Sequence, residues 1–281
     1  RLDGSEPGDR TPFSDPATDP FSSGNPDYNF YSLEVVQRIG FDSFCPDNGV
    51  LLAKNKDKLW GNNGGPNAFD SYIWVIDAHP EDINVVDYIS PSGEKVMRTI
   101  ADYRQLNDAL FHAGLNSGSQ FEYQDEPNRL HFYVVSVDRN RDGILTYTLA
   151  IRSLDGPGPQ VRGVELTSPS ASIKAAPGLT PVTFSLKNTG QPAEVDPKLH
   201  PSDASGHLNC DLYRLEVSIN GQGWQVQLPN ALASVEFGQT SDITVYVLPS
   251  KGASGEATVV LKATSESQPD KTAEATVNLS L

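Results

Sequence analysis

Cysteine, methionine, histidine and positive charge are all scarce in this chain, and each scarcity narrows what it can do. Only Cys45 and Cys210 occur in 281 residues. One in each half could form a single inter-domain disulfide in an oxidising compartment, and two unbonded thiols fit the same count. The five histidines stand at 79, 112, 131, 200 and 207. None falls in the H-E-x-x-H frame, which sets two zinc-ligating imidazoles one helical turn apart with a glutamate base between them. No G-x-S-x-G nucleophile elbow is present, and the glycines from Gly61 to Gly65 lack the lysine of a phosphate-binding loop. Lysine and arginine total 21 against 36 acidic residues, a net charge of −15. A field of that sign repels nucleic-acid backbones and anionic lipid, so neither is an expected partner. No apolar run approaches the roughly 18 residues of a membrane span. The chain opens on Arg1 without a visible signal peptide, which reads as a mature or released piece of something longer.

What is present suits a loop-rich β protein of two domains. Hydrophobic residues make up 37%, with 23 glycines and 21 prolines, which is too apolar for wholesale disorder. Residues 1–27 are dense in Pro, Asp, Ser and Gly without any period, and read as an extended arm. Asp15, Asp19 and Asp27 offer hard oxygens for Ca²⁺, the alternative being a solvated leader. Phe30–Gly40 and Gly49–Ala53 read as strands around a Cys45-Pro46-Asp47-Asn48-Gly49 turn. Tyr72–Asp77, Leu130–Val137 and Gly143–Ile151 are rich in aromatic and β-branched residues and predict further strands, the last two a hairpin. Thr99–His112 predicts the one helix, since Ile100, Tyr103, Leu106, Leu110 and Phe111 share a face, Thr99 can cap its start and Gly114 can close it. The Gly/Pro stretch Ser153–Gln160 is the predicted boundary. Beyond it come six or seven short Thr/Val/Ser-rich strands with regular turn signals, the pattern of an Ig-like sandwich. The fold class is therefore mainly β, a mixed β-rich domain with one helix over 28–157 followed by an Ig-like β-sandwich over 158–281.

Two further clusters could hold a metal. Asp77, His79 and Asp82 crowd a predicted strand end, where carboxylates and an imidazole can converge on one cation. Asp138, Asn140 and Asp142, followed by Gly143, repeat the first half of a calcium loop. The twelfth position of that loop is Leu149 rather than glutamate, and the segment lies between strands, so a hairpin turn is the competing reading. Trp60, Tyr123 and Trp224 could stack on sugar rings or belong to the core. Asn278-Leu279-Ser280 is a glycosylation sequon.

Several stretches resemble known families. Glu34, Gln37, Arg38, Gly40, Phe41, Asp42, Pro46, Gly49, Leu51 and Leu52 follow the closing segment of the catalytic domain in secreted zinc metallopeptidases of the immune-inhibitor-A type. That family's last-strand histidine is replaced here by Lys54 or Asn55, and Trp74–Ala78 is similar to the apolar strand that follows the peptidase core. The second half resembles a NEW-type Ig-like domain through Phe184–Gly190, Trp224, the Gly255–Val259 strand and Ala263-Thr264-Ser265, with 191–209 as an insertion. Together they resemble the C-terminal portion of large actinobacterial secreted proteins of that class. The resemblance implies a secreted, extracellular, non-catalytic region giving support or substrate docking. Its Zn²⁺ would reside in an upstream segment of the same precursor, and its own cofactor, if any, would be Ca²⁺. A protein or polysaccharide ligand fits the same reading. The alternatives are a glycan or cell-wall binding module, and a structural surface protein that forms assemblies.

Overall fold

The computed structural model describes residues 30–56, 72–82, 85–98, 103–126, 128–176, 178–194, 209–253 and 255–281. Among these residues the secondary structure is strand, joined by turns and three short 3-10 segments, with no α-helix. The chain packs as two units that divide between Leu154 and Asp155, with residues 114–116 counted in the second. None of the described helical segments is long and apolar enough to cross a membrane.

The first unit is built on two three-stranded antiparallel sheets. β1 (Phe30–Val36), β2 (Gly49–Lys56) and β3 (Tyr72–Ile76) form one. A small hairpin of β4 (Val86–Ile89) and β5 (Lys95–Met97) follows. β6 (Glu122–Asp125), β7 (Leu130–Arg139) and β8 (Leu145–Ser153) form the second sheet. Because successive strand side chains point to opposite faces, Val50 and Leu52 fall on one face of β2. They join Ile76, Ala78, Phe111, Phe132 and Val134 in one core. Tyr31 lies 5.0 Å from Phe132, ring centre to ring centre. Lys54 shares the parity of Val50 and Leu52, so it too is carried inward. There its ammonium meets the Asp125 carboxylate at 2.8 Å, with both side chains almost wholly buried. Gln37 ties the end of β1 to the β7–β8 turn, donating from Nε2 to Gly143 O at 2.7 Å and accepting the Leu145 N–H at 2.9 Å.

In the second unit the strands are β9 (Val164–Thr167), β10 (Ser172–Lys174), β11 (Thr180–Asn188), β12 (Cys210–Asn220), β13 (Trp224–Gln227), β14 (Leu232–Glu236), β15 (Thr240–Pro249), β16 (Glu256–Ser265) and β17 (Thr272–Ser280). They form a five-stranded sheet in the order β10-β17-β16-β12-β14 and a four-stranded sheet in the order β13-β15-β11-β9. All pairings are antiparallel except β10 with β17. Alternation decides which residues meet between the sheets. Ala257, Val259, Leu261 and Ala263 from β16 face one core together with Val182, Phe184 and Leu186 from β11 and Val245 and Val247 from β15. Two polar groups on those inward positions are satisfied. Asn188 donates to Val235 O and accepts the Gly190 N–H, both at 2.9 Å. Asp211 accepts Ser265 Oγ–H at 2.7 Å and pairs with Arg162 at 3.1 Å.

Two expectations are corrected. No helix spans Thr99–His112: the described part holds a 3-10 turn at Tyr103–Leu106 and then runs extended. Ala109, Leu110 and Phe111 are all buried in succession while Leu106 is 59% exposed, a pattern one helix face cannot deliver. Phe111 instead exchanges both backbone hydrogen bonds with Val50, at 2.9 Å each. Cys45 and Cys210 form no disulfide. They belong to different units, Cys45 in a turn whose N–H is held by Asp42 O and Cys210 at the first residue of β12 opposite Glu236. The arm over 1–27, with Asp15, Asp19 and Asp27, lies outside the described residues, as do His200 and His207.

Candidate functional site

The polar cluster of greatest chemical interest forms where β3 ends. Ala78 is fully buried in the first core, which anchors the chain there and leaves Asp77 and His79 on either side of the plug. The His79 N–H closes a turn onto Asp77 Oδ1 at 2.8 Å. The second contributor comes from the segment expected to be helical. Its 3-10 turn stops at the Asn107 N–H to Arg104 O bond, and the buried run from Ala109 to Phe111 follows. Asp108 is thereby held at the rim of the core. A third stretch, at Ser117–Ser119, is fixed by Ser119 Oγ donating to Leu110 O at 2.6 Å. Gly118 in this stretch has φ +88°, a conformation glycine adopts without cost.

The His79 ring sits between two backbone carbonyls, Nδ1 at 2.5 Å from Asp108 O and Nε2 at 2.7 Å from Gly118 O. Carbonyls only accept, and a neutral imidazole has one N–H, so satisfying both requires the charged ring. Burial opposes that charge, but the two carbonyl bonds and the Asp108 and Glu81 carboxylates outweigh it, and the pKa of His79 is raised. Asp77 is also shifted upward, first by burial and then by repulsion from Asp108 and Asp82, against the lowering effect of the His79 N–H. The ligand-capable atoms of Asp77, His79 and Asp108 all lie within 4.8 Å of one another. Asp77 Oδ2 and Asp108 Oδ1 are solvent-inaccessible and accept no hydrogen bond from the described residues.

Two of the three residues picked from the sequence, Asp77 and His79, are thus brought together, and Asp82 is not the third. Its Oδ1 accepts from Gln105 Nε2 at 2.9 Å and its Oδ2 pairs with Arg98, so both oxygens are engaged. Asp108 takes its place. No local signal marked Asp108, since the helical spacing assigned to its segment directed attention to the apolar positions around it. Asp138, Asn140 and Asp142 lie in the β7–β8 turn. There Asn140 Oδ1 accepts the N–H groups of Asp142 and Ile144, both at 2.9 Å, and Arg139 Nη1 donates to Gly143 O at 3.0 Å. The asparagine oxygen that a calcium loop would direct at the ion is therefore spent on the hairpin.

A second buried polar group went unread in the sequence. Asp125 Oδ2 accepts from Lys54, from Tyr31 Oη at 2.7 Å and from Asn128 Nδ2 at 3.1 Å. Burial alone would raise its pKa, yet these donors and the lysine charge hold it below the usual carboxylate value. The parity of Lys54 with Val50 and Leu52 was the available clue. This network is closed and fits a structural role.

Residues 4–154 match the family profile of a middle domain, and residues 164–281 match that of a Peptidase M6-like domain. A relative from Arthroderma benhamiae, named "Putative secreted metallopeptidase", is 45% identical over 278 residues, covering 96% of this chain and 39% of the relative. The chain therefore spans about two-fifths of that relative's length. Among solved structures, a PapD-like domain of human CEP192 overlays 43% of this chain and 85% of its own at 9% identity, with a TM-score of 0.28. WR4, a member of the C. elegans MSP family, overlays 43% of this chain and 96% of its own at 14% identity, with a TM-score of 0.25. Scores that low carry neither fold nor function across.

Proposed function

The chain belongs to the family defined by that middle domain, with a Peptidase M6-like stretch behind it, and from this premise we propose that it is the non-catalytic supporting region of a secreted metallopeptidase. One observation carries the reading. Nearly the whole chain aligns with a protein named as a metallopeptidase, yet its 281 residues contain no H-E-x-x-H. Hydrolysis by a mononuclear zinc site of that type needs both histidines and the glutamate base. The groups that would perform it belong to other parts of such a precursor, and this region contributes mechanically.

The supporting role fits the architecture of each unit. In the second, two sheets share one continuous core from Leu166 to Leu279, which supports the Ig-like reading of a rigid spacer. In the first, a turn with Gly40 at φ +56° displays Phe41 and Phe44 at 96% and 84% exposure, apolar surface of the kind that meets another protein segment. A glycan-binding module would instead present aromatics from the sandwich. The large hydrophobics exposed among the described residues of the second unit are Leu115, Val161, Leu179 and Leu281, and none is aromatic.

The test compares the purified chain with its precursor. The chain alone is expected to release no peptide from casein with or without added Zn²⁺. A precursor lacking this region is expected to be secreted in lower yield and to lose activity faster on heating. Chelator-sensitive proteolysis by the purified chain would overturn the reading.

A further inference from the structure

We propose that Asp77, His79 and Asp108 form a divalent-cation site of the zinc class, which fastens the end of β3 to the 103–119 segment. The starting point is an imbalance. Asp77 Oδ2 and Asp108 Oδ1 are both shut off from solvent with no hydrogen-bond donor among the described residues, on side chains whose ligand atoms lie within 4.8 Å of each other and of the His79 ring. Buried carboxylate oxygens are rarely left without a donor or an ion. The neighbouring polar groups show how the same unit treats such oxygens elsewhere. Asp82 is matched by Arg98 and Gln105, Asp87 by a two-pronged Arg104 at 2.9 and 2.8 Å, and Asp125 by Lys54, Tyr31 and Asn128. An ordered water, a proton or a cation can serve the Asp77–Asp108 pair. Water donates to the oxygens but leaves both charges in place and a proton removes one charge, whereas a dication meets both oxygens and relieves the repulsion between them.

The donor set selects the class of ion. Two carboxylates and one imidazole suit a borderline cation of small coordination number such as Zn²⁺, while Ca²⁺ takes six to eight oxygens and makes little use of nitrogen. Binding exchanges one proton. The charged His79 ring loses the proton of one nitrogen to solvent, gives up the carbonyl bond that proton made, and offers the freed lone pair to the metal. The other nitrogen keeps its N–H on the remaining carbonyl, the usual way a ligating histidine is oriented. The positions of the ligands make the site a clasp, since Asp77 and His79 follow β3 and Asp108 follows the 3-10 turn 29 residues further along the chain. The site is independent of the supporting role proposed above and can fail or hold on its own.

Metal-stripped full-length chain, titrated with Zn²⁺ against a chromophoric chelator at pH 7.5, tests it. One equivalent is expected to bind with a Kd of 10 µM or tighter, on the scale of about −7 kcal/mol. Asp108→Asn and His79→Gln are each expected to weaken binding at least tenfold, while Asp142→Asn, in the exposed β7–β8 turn, binds as the parent does. Absence of binding at 100 µM Zn²⁺ overturns the proposal, and so does undiminished binding in Asp108→Asn and His79→Gln. Should either variant fail to fold, X-ray absorption of the zinc-loaded parent decides. A shell of nitrogen and oxygen with imidazole scattering supports the site, and sulfur in the shell overturns it by pointing to Cys45 or Cys210.

Discussion

Replacing Lys54 by methionine probes the buried network that holds the first unit together. Lys54 and Asp125 are 2% and 1% exposed and 2.8 Å apart, with the ammonium also 5.7 Å above the Tyr123 ring. Methionine keeps the stem and removes the charge, leaving the Asp125 carboxylate in the core with Tyr31 and Asn128 as donors. Removing one partner of a buried pair costs about 3–5 kcal/mol. The surviving neutral donors, Tyr31 Oη and both the side-chain and the backbone N–H of Asn128, place this case near the lower end, about 3 kcal/mol, because each still supplies a hydrogen bond to charge. For a unit of this size about 3 kcal/mol lowers Tm by roughly 6–12 °C. Hydrogen exchange read by mass spectrometry resolves the answer by unit. Peptides from β1 to β8 should lose protection and those from β9 to β17 should not. The double variant Lys54→Met/Asp125→Asn should recover part of the loss, since a neutral amide replaces the stranded charge while its oxygen still accepts from Tyr31 and Asn128. A loss below about 1 kcal/mol in the single variant, or a double variant no better than the single, would refute the reasoning.

The same carboxylate sets an acid limit. Its folded-state pKa is held below the unfolded value, so its contribution is complete above the ordinary aspartate value of about 3.9 and disappears as pH falls through the lower folded value. Urea midpoints for the parent and Lys54→Met should therefore converge on acidification from pH 5 to pH 3, and a gap that widens would reverse the sign. In the second unit Phe184 is fully buried, and Phe184→Ala should cost about 3–5 kcal/mol in a denaturant titration, with protection lost from β9 to β17 alone. Gly49→Ala should destabilise the first unit by about 1–3 kcal/mol. The new Cβ would lie 2.7 Å from Leu110 Cβ and 2.9 Å from Phe111 O, pressing on the backbone that bridges Val50, and loss of protection at the Val50 and Phe111 amides would show it. Phe41→Ser should leave Tm within a degree or two, a change of under about 0.5 kcal/mol, because the ring is 96% exposed.

The strands were legible where alternation was clean. β16 reads E-A-T-V-V-L-K-A-T-S, and its burial alternates without a break. The D-R-N-R-D-G stretch closes the β7–β8 hairpin through Asn140, as turn chemistry anticipates. Thr99–His112 misled because its apolar spacing fits a helix, while the decisive interaction is backbone pairing with Val50, about sixty positions earlier. Local periodicity records which residues are apolar, not whether a distant strand offers hydrogen bonds to an extended chain. For the cysteines, counting one thiol in each half left an inter-domain bond open, and the two form no disulfide.

The Asp77–His79–Asp108 cluster shows where sequence reading stops. Density of ligand types located Asp77 and His79, because both follow a strand end and the residue between them is the buried Ala78. Density also proposed Asp82, for nearness alone. Proximity in sequence, however, gives no preference to a carboxylate with open oxygens over one already matched. Asp82 is matched by Arg98 and Gln105, and both partners lie more than fifteen residues away. Asp108 is set apart by what fails to reach its Oδ1. The absence of a partner among the described residues is a property of the packed unit alone, and it is the property on which the proposed cation site rests.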